Sequence, residues 1–197
     1  MYEFVYTLDR AIFEWLNSWV DVSPFLDWAI VFRSTYLWYV VMAAVAMFAA
    51  GTVFTRFRSY RKQNTELFIV AFISAFTARF IITEIIRFFY NRPRPFEVLD
   101  GVRQLVNHDG GGSMPSGHAS LAFAVATAVA FYYPKTSILF FAAALSISVN
   151  RIAAGVHWPS DILGGALVGI GTAWLFRWAW KKLKKTAAAG PDSAAAV

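Results

Sequence analysis

The sequence predicts an all-α protein, a polytopic membrane bundle of five to six transmembrane helices, and three observations carry that prediction. Of 197 residues, 58% are hydrophobic and 15% charged, against about 45–50% and about 25% in soluble domains. Five apolar stretches approach the ~20 residues that a helix needs to cross ~30 Å of hydrocarbon. The cations behind the net charge of +6 gather at Arg56, Arg58, Arg61 and Lys62 and again at Arg177, Lys181, Lys182, Lys184 and Lys185. Each cluster abuts an apolar stretch, which is the positive-inside pattern of a membrane protein and not the basic face of a nucleic-acid binder. The chain has no cysteine, which excludes disulfides, thiolate metal sites and a cysteine nucleophile.

Residues 2–20 mix Phe4, Ile12, Phe13, Trp15, Leu16 and Trp19 with Glu3, Asp9, Arg10 and Glu14, a pattern suited to a helix lying in the membrane interface. This stretch lacks the basic start and small-residue cleavage site of a secretory signal. It belongs to an amphipathic N-terminal region, residues 1–34, in which the segment around residues 25–32 leaves room for a further crossing. Spans are predicted over residues 35–54, 67–89, 118–133, 136–154 and 159–180, the third of them short. One membrane domain, residues 1–185, is expected, followed by an Ala-rich tail, residues 186–197, without fixed structure. The basic clusters place the loop at residues 54–66, Lys135 and the C-terminus in the cytoplasm. A long loop at residues 90–117 and a short one at residues 155–158 then lie outside.

Three groups of polar residues fall in or beside those two loops. Arg87 is followed by Asn91-Arg92-Pro93-Arg94-Pro95, where the prolines fix an extended backbone and hold guanidinium forks suited to phosphate oxygens. The alternative is headgroup contact for Arg92 and Arg94, with Arg87 pairing with Glu84 on its own helix. Next, Gly110-Gly111-Gly112-Ser113-Met114-Pro115-Ser116-Gly117-His118 opens a helix, where free backbone N–H groups bind anions; Ser116 adds a donor or merely caps the helix. Last, Asn150-Arg151 precedes His157 and Asp161. Asp161 can take the Nδ1 proton of His157 and leave Nε2 free to attack, or serve as an ordinary first-turn acid.

Under the predicted topology all three groups share one membrane face, a combination that suits phosphoryl transfer: cationic clamps, an oriented nucleophile and a second histidine as acid. The acidic residues are dispersed and the histidines number three, so no metal site and no cofactor are expected.

In these motifs the chain resembles the type 2 phosphatidic acid phosphatase (PAP2) superfamily, whose signatures are KxxxxxxRP, PSGH and SRxxxxxHxxxD. Arg87 with Arg94-Pro95, Pro115-Ser116-Gly117-His118, and Asn150-Arg151 with His157 and Asp161 match in order and spacing. The resemblance implies a PAP2/vanadium-haloperoxidase-like core and a metal-independent phosphohistidine mechanism. His157 would attack phosphorus, Asp161 would orient it, and His118 would protonate the leaving group. Arg87, Arg94, Arg151, Ser116 and the Gly117 amide would hold the phosphate. Arg87 replaces the usual Lys and Asn150 the usual Ser, which changes donor geometry without removing an attacking or proton-moving group.

The implied partners are the bilayer and a membrane lipid phosphate, and no nucleic acid. The stretch Asn91-Arg92-Pro93-Arg94-Pro95-Phe96 resembles that of bacterial undecaprenyl diphosphate phosphatases. Phosphatidylglycerophosphate and phosphatidic acid phosphatases share the motifs, and a non-catalytic transporter or scaffold with the same fold is the alternative of another class. Arg79 and Glu84 lie within the second predicted span, where ionisable groups are costly; they either pair or line a polar path beneath the site.

Overall fold

Helices form where the apolar stretches predict them, and no strand occurs among the described residues. The structure, a computed structural model, describes residues 2–51, 59–108 and 110–189. Arg56 and Arg58 therefore lie outside the described residues, as does the tail from residue 190. Helix α1 is Tyr2–Asn17, α2 covers residues 24–50, α3 is Arg61–Phe89, α4 is the single turn Pro95–Val98, α5 is Gly117–Ala130, α6 is Pro134–Ala153 and α7 is Pro159–Ala189. Four of them are long and apolar enough to cross a membrane: Pro24–Met47, Arg61–Phe89, Pro134–Ala153 and Pro159–Thr186, with the shorter apolar α5 as a fifth.

Two boundaries differ from the sequence expectation. The first span starts at residue 24 and not at 35, so the segment around residues 25–32 is the beginning of that span and no separate crossing. Ser23 accepts the Leu26 N–H at 3.2 Å and Pro24 occupies the first turn, a strong start signal that Asp27 and Arg33 mask when apolarity alone is counted. At the other end α7 continues to Ala189, because alanine is the best helix former and nothing before Gly190 interrupts it.

The shortness of α5 follows from its place. Ala119, Ser120, Ala122, Ala124, Ala126 and Ala128 are all buried, and the helix packs against α7, α6 and α3. Small side chains let backbones approach closely in a membrane bundle. On α7, Gly165 and Gly169 face this helix: a Cβ at Gly165 would stand 2.5 Å from the Ser116 carbonyl, and one at Gly169 would meet the Ser120 carbonyl even more closely. Thr83 of α3 donates to Ser120 Oγ at 3.1 Å, with both side chains fully buried. The outer surface is apolar, with Phe88, Phe89, Leu139, Leu167 and Trp174 exposed.

Helix α1 docks by Phe13 and Leu16, which pack with Ile152, Ala153 and Trp158. Asn17 clamps it there: its Nδ2 donates to the carbonyls of Arg103 and Ala153, both at 2.8 Å, and its Oδ1 accepts the Arg103 N–H at 3.0 Å. The long loop, α1 and the end of α6 thus become one layer over the bundle. Gly155 completes it. With φ +87° directly after α6, this residue takes a left-handed conformation that L side chains avoid, and a Cβ there would meet the Arg103 carbonyl at 2.9 Å.

Candidate active site

Arg94 is extended (φ −80°, ψ 160°) between two prolines, and its side chain is 1% exposed. The guanidinium donates to the carbonyls of Gly111 at 3.1 Å, Gly112 at 3.2 Å and Val156 at 2.7 Å. It therefore pins the glycine loop to the turn before α7. Burial and the neighbouring Arg87 lower its pKa to about 10, which leaves it charged at neutral pH. Arg87 donates twice to the Pro115 carbonyl, at 3.0 and 3.2 Å, and pairs with Glu84 at 3.2 Å. Both motif arginines thus hold the loop that carries Ser116: Arg94 is buried away from headgroups, and Arg87 makes the Glu84 pair that the alternative expected in addition to its bonds to Pro115.

Ser116 directly precedes α5 but makes no side-chain cap, and its Oγ is buried without a hydrogen-bond partner among the described residues. Gly117 opens the helix, where backbone N–H groups have no intrahelical acceptor. Arg151, 3% exposed at the end of α6, leaves its Nε equally unpartnered. An unpaired buried donor costs about 1–3 kcal/mol, so each of these two is a group free to bind something the chain does not itself supply.

His157 is 1% exposed and Asp161 fully buried, with Nδ1 and Oδ2 3.3 Å apart. Burial, then Arg151, Arg94 and Arg87, hold the His157 imidazole well below its ordinary pKa, so it is neutral. With the Nδ1 proton directed to Asp161, the Nε2 lone pair is free. Asp161 also accepts the Trp158 N–H at 2.8 Å, Arg92 Nη1 at 2.9 Å and Ser113 Oγ at 3.4 Å. His118, on the first turn of α5, lines the same cavity as Arg151, with its ring edge-on to Trp38 at 6.4 Å. Asn150 turns back on its own helix, donating to the Ser146 carbonyl at 2.7 Å. Among the described residues no three His, Cys, Asp or Glu side chains gather as a metal site would require.

By sequence, Arg92 is a guanidinium for phosphate or headgroups, and Asp9 and Ser160 have no part in the site. Arg92 bridges two carboxylates, Asp161 at 2.9 Å and Asp9 of α1 at 2.7 Å, and stacks on Trp158 at 5.2 Å. Asp9 in turn accepts the Ser160 N–H at 2.8 Å and the Ser160 hydroxyl. This buried chain couples an interfacial helix to Asp161 across 83 and 69 residues of sequence, which no local motif announces. Asp9→Ala is expected to leave Arg92 half-paired in a buried site, at a cost of ~3 kcal/mol, read as a lower thermal unfolding temperature in detergent. Asp9→Asn, which keeps the shape and an acceptor oxygen, is expected to lose less.

Arg79 and His108 were missed as site residues too. A cavity of about 340 Å³ is lined by Arg79, Asn107, His108, Gly117, His118 and Arg151. Arg79 pairs with Glu84 at 2.6 Å, the first of the two sequence alternatives, and it also lines this cavity.

Residues 66–185 match the PAP2 superfamily. The chain belongs to this superfamily. It is 25% identical over 176 residues to the bacitracin transport permease protein BcrC of Bacillus licheniformis, covering 89% of this chain and 82% of that one. It is 34% identical over 99 residues to the undecaprenyl-diphosphatase BcrC of Bacillus subtilis (strain 168), about half of each protein (50% and 51%). Its fold is similar to that of the crystal structure of a transmembrane PAP2-type phosphatidylglycerolphosphate phosphatase from Bacillus subtilis, with TM-score 0.65 and 20% identity over 90% of this chain and 87% of the other. The protein is a multi-pass membrane phosphatase, a PAP2 hydrolase acting on phosphate esters.

Proposed function

We propose that this PAP2 phosphatase removes the terminal phosphate of a polyprenyl lipid diphosphate, converting undecaprenyl diphosphate to undecaprenyl phosphate on the extracytoplasmic face through a phosphohistidine at His157. The observation that carries the reading is the pair of buried, unpartnered donors, Ser116 Oγ and Arg151 Nε, in one site with a neutral His157 oriented by Asp161. In the first step His157 Nε2 forms a bond to the terminal phosphorus while the bridging P–O bond breaks, and His118 gives its proton to the departing lipid phosphate. Arg87, Arg94, Arg151, Ser116 and the Gly117 amide take up the charge on the phosphoryl oxygens. In the second, water attacks the phosphohistidine, His118 accepts the water proton, and inorganic phosphate leaves with His157 restored. Every group in both steps belongs to the chain, so no metal is required.

The choice of lipid is supported by the name of the Bacillus subtilis relative and by the Arg92-Pro93-Arg94-Pro95-Phe96 stretch. The name of the Bacillus licheniformis relative raises transport as the second reading, but a pure transporter has no use for an oriented nucleophile and a separate proton donor. One experiment separates the readings: phosphate release by the purified protein in detergent with EDTA, from undecaprenyl diphosphate, phosphatidylglycerophosphate and phosphatidic acid. The diphosphate is expected to be turned over fastest, with no loss on chelation. A faster phospholipid would reassign the substrate, and no release from any lipid by folded protein would leave transport.

A further inference from the structure

The chemistry above employs one phosphate subsite, yet two basic side chains in the same cavity are left without a task, Arg79 and His108. Arg79 lies across the start of α5. A Cβ on Gly117 would stand 2.5 Å from its Nε and 2.9 Å from its Cζ, so the guanidinium packs on Gly117, and it lines one cavity with His118. Its carboxylate partner is shared, since Glu84 Oε1 also takes Arg87 at 3.2 Å, and one negative charge serves two positive ones. Arg79 sits in the π-helical turn Thr77–Ile82 of α3, and Thr35, across the cavity, sits in the π-helical turn Phe32–Tyr36 of α2. Such wide turns re-aim side chains and recur at functional sites.

His108 arrives from the long loop. Its Nδ1 is buried and has no hydrogen-bond partner among the described residues, and the ring is within electrostatic range of Arg94, Arg151 and Arg87. Burial and those arginines push its pKa down to about 4, so the ring is neutral in the unliganded protein. A phosphate beside it would supply the counter-charge this cluster lacks.

Exposure grades the lining of the cavity. Arg151 is 3% exposed, the Arg79 side chain 27%, and the aromatic rim residues Phe80 and Tyr39 54% and 56%, while His157, 1% exposed, lies within electrostatic range of Arg151. A lipid entering from the apolar rim with its terminal phosphate at His157 would leave the phosphate bonded to the lipid between the two, beside Arg79 and His108.

We propose that Arg79 and His108 form a second phosphate subsite, which holds the lipid-linked phosphate of a diphosphate substrate and so selects diphosphates over monophosphates. This rests on the reading of the chain as a lipid diphosphate phosphatase. It assigns Arg79 and His108 to the leaving group, which carries extra negative charge as the bridging bond breaks.

The test compares kcat/KM for undecaprenyl diphosphate and for phosphatidic acid in wild type, Arg79→Gln, His108→Gln and the double variant. The double variant is expected to lose ~100-fold on the diphosphate, from two charge-assisted contacts of ~10-fold each, and much less on the monophosphate. Inhibition by inorganic pyrophosphate is expected to weaken more than inhibition by inorganic phosphate, a readout that a general folding defect would not produce. Equal losses on both lipids, or no loss on the diphosphate, would overturn the subsite while leaving the substrate reading intact. Wild-type protein that hydrolyses phosphatidic acid but not the diphosphate would overturn both.

Discussion

His157→Gln is expected to lower phosphate release by ~10⁴-fold or more, with the thermal unfolding temperature close to that of wild type. Removing the nucleophile of a covalent mechanism costs about this much, because the remaining clamp stabilises charge but offers no atom to attack. The neighbouring groups are poor substitutes: Asp161 is committed to Trp158, Arg92, Ser113 and His157, and Ser116 Oγ has no hydrogen-bonded base among the described residues to activate it. Glutamine fills most of the imidazole volume, so the buried packing around Ala154, Val156 and Trp158 is retained. Phosphate release at fixed enzyme concentration, with near-UV circular dichroism as the folding control, checks this.

The second large effect belongs to Asp161→Asn. By analogy with other carboxylates that fix a histidine tautomer, the loss in kcat is expected to be ~10³–10⁴-fold, with KM changed little because the proposed phosphate contacts lie on Arg87, Arg94, Arg151, Ser116 and Gly117. Unlike His157→Gln, this variant is also expected to unfold at lower temperature. Its amide cannot repay the buried Arg92 charge, whose other partner is Asp9 at 2.7 Å. A KM rise with unchanged kcat would contradict the orienting role; steady-state kinetics on one lipid substrate distinguishes the two.

The candidate site was legible in the sequence because its members lie close to helix ends and in short, regularly spaced motifs. Pro93, Pro95 and the Gly110–Gly112 run announce the loops, and the five residues between Arg151 and His157 fix a turn between two helices. What holds those members in place was less visible. Asp9 reads as one more polar position on an amphipathic helix, and only the docking of α1 turns it inward against Ser160 and Arg92. Ser116 occupies a residue type and position that serve equally well as a helix cap; in the structure it makes no side-chain cap, and its hydroxyl is unbonded among the described residues. His108 stands in a loop without a motif, and its convergence on the arginines depends on how that loop folds over the bundle. The first span begins at Pro24, earlier than apolarity predicts, because its opening turns carry Asp27 and Arg33, which an apolarity count penalises and a packed helix tolerates.

The most direct test of the central claim is to mix the protein with undecaprenyl diphosphate in EDTA, quench in alkali within the first turnover, and map phosphate by mass spectrometry. The account predicts a base-stable phosphoryl group on His157 that appears before free phosphate, is absent in His157→Gln, and accumulates when His118 is replaced by Gln and hydrolysis of the intermediate slows. Phosphate release at wild-type rates from His157→Gln, or a phosphoryl group on any other residue, would contradict it.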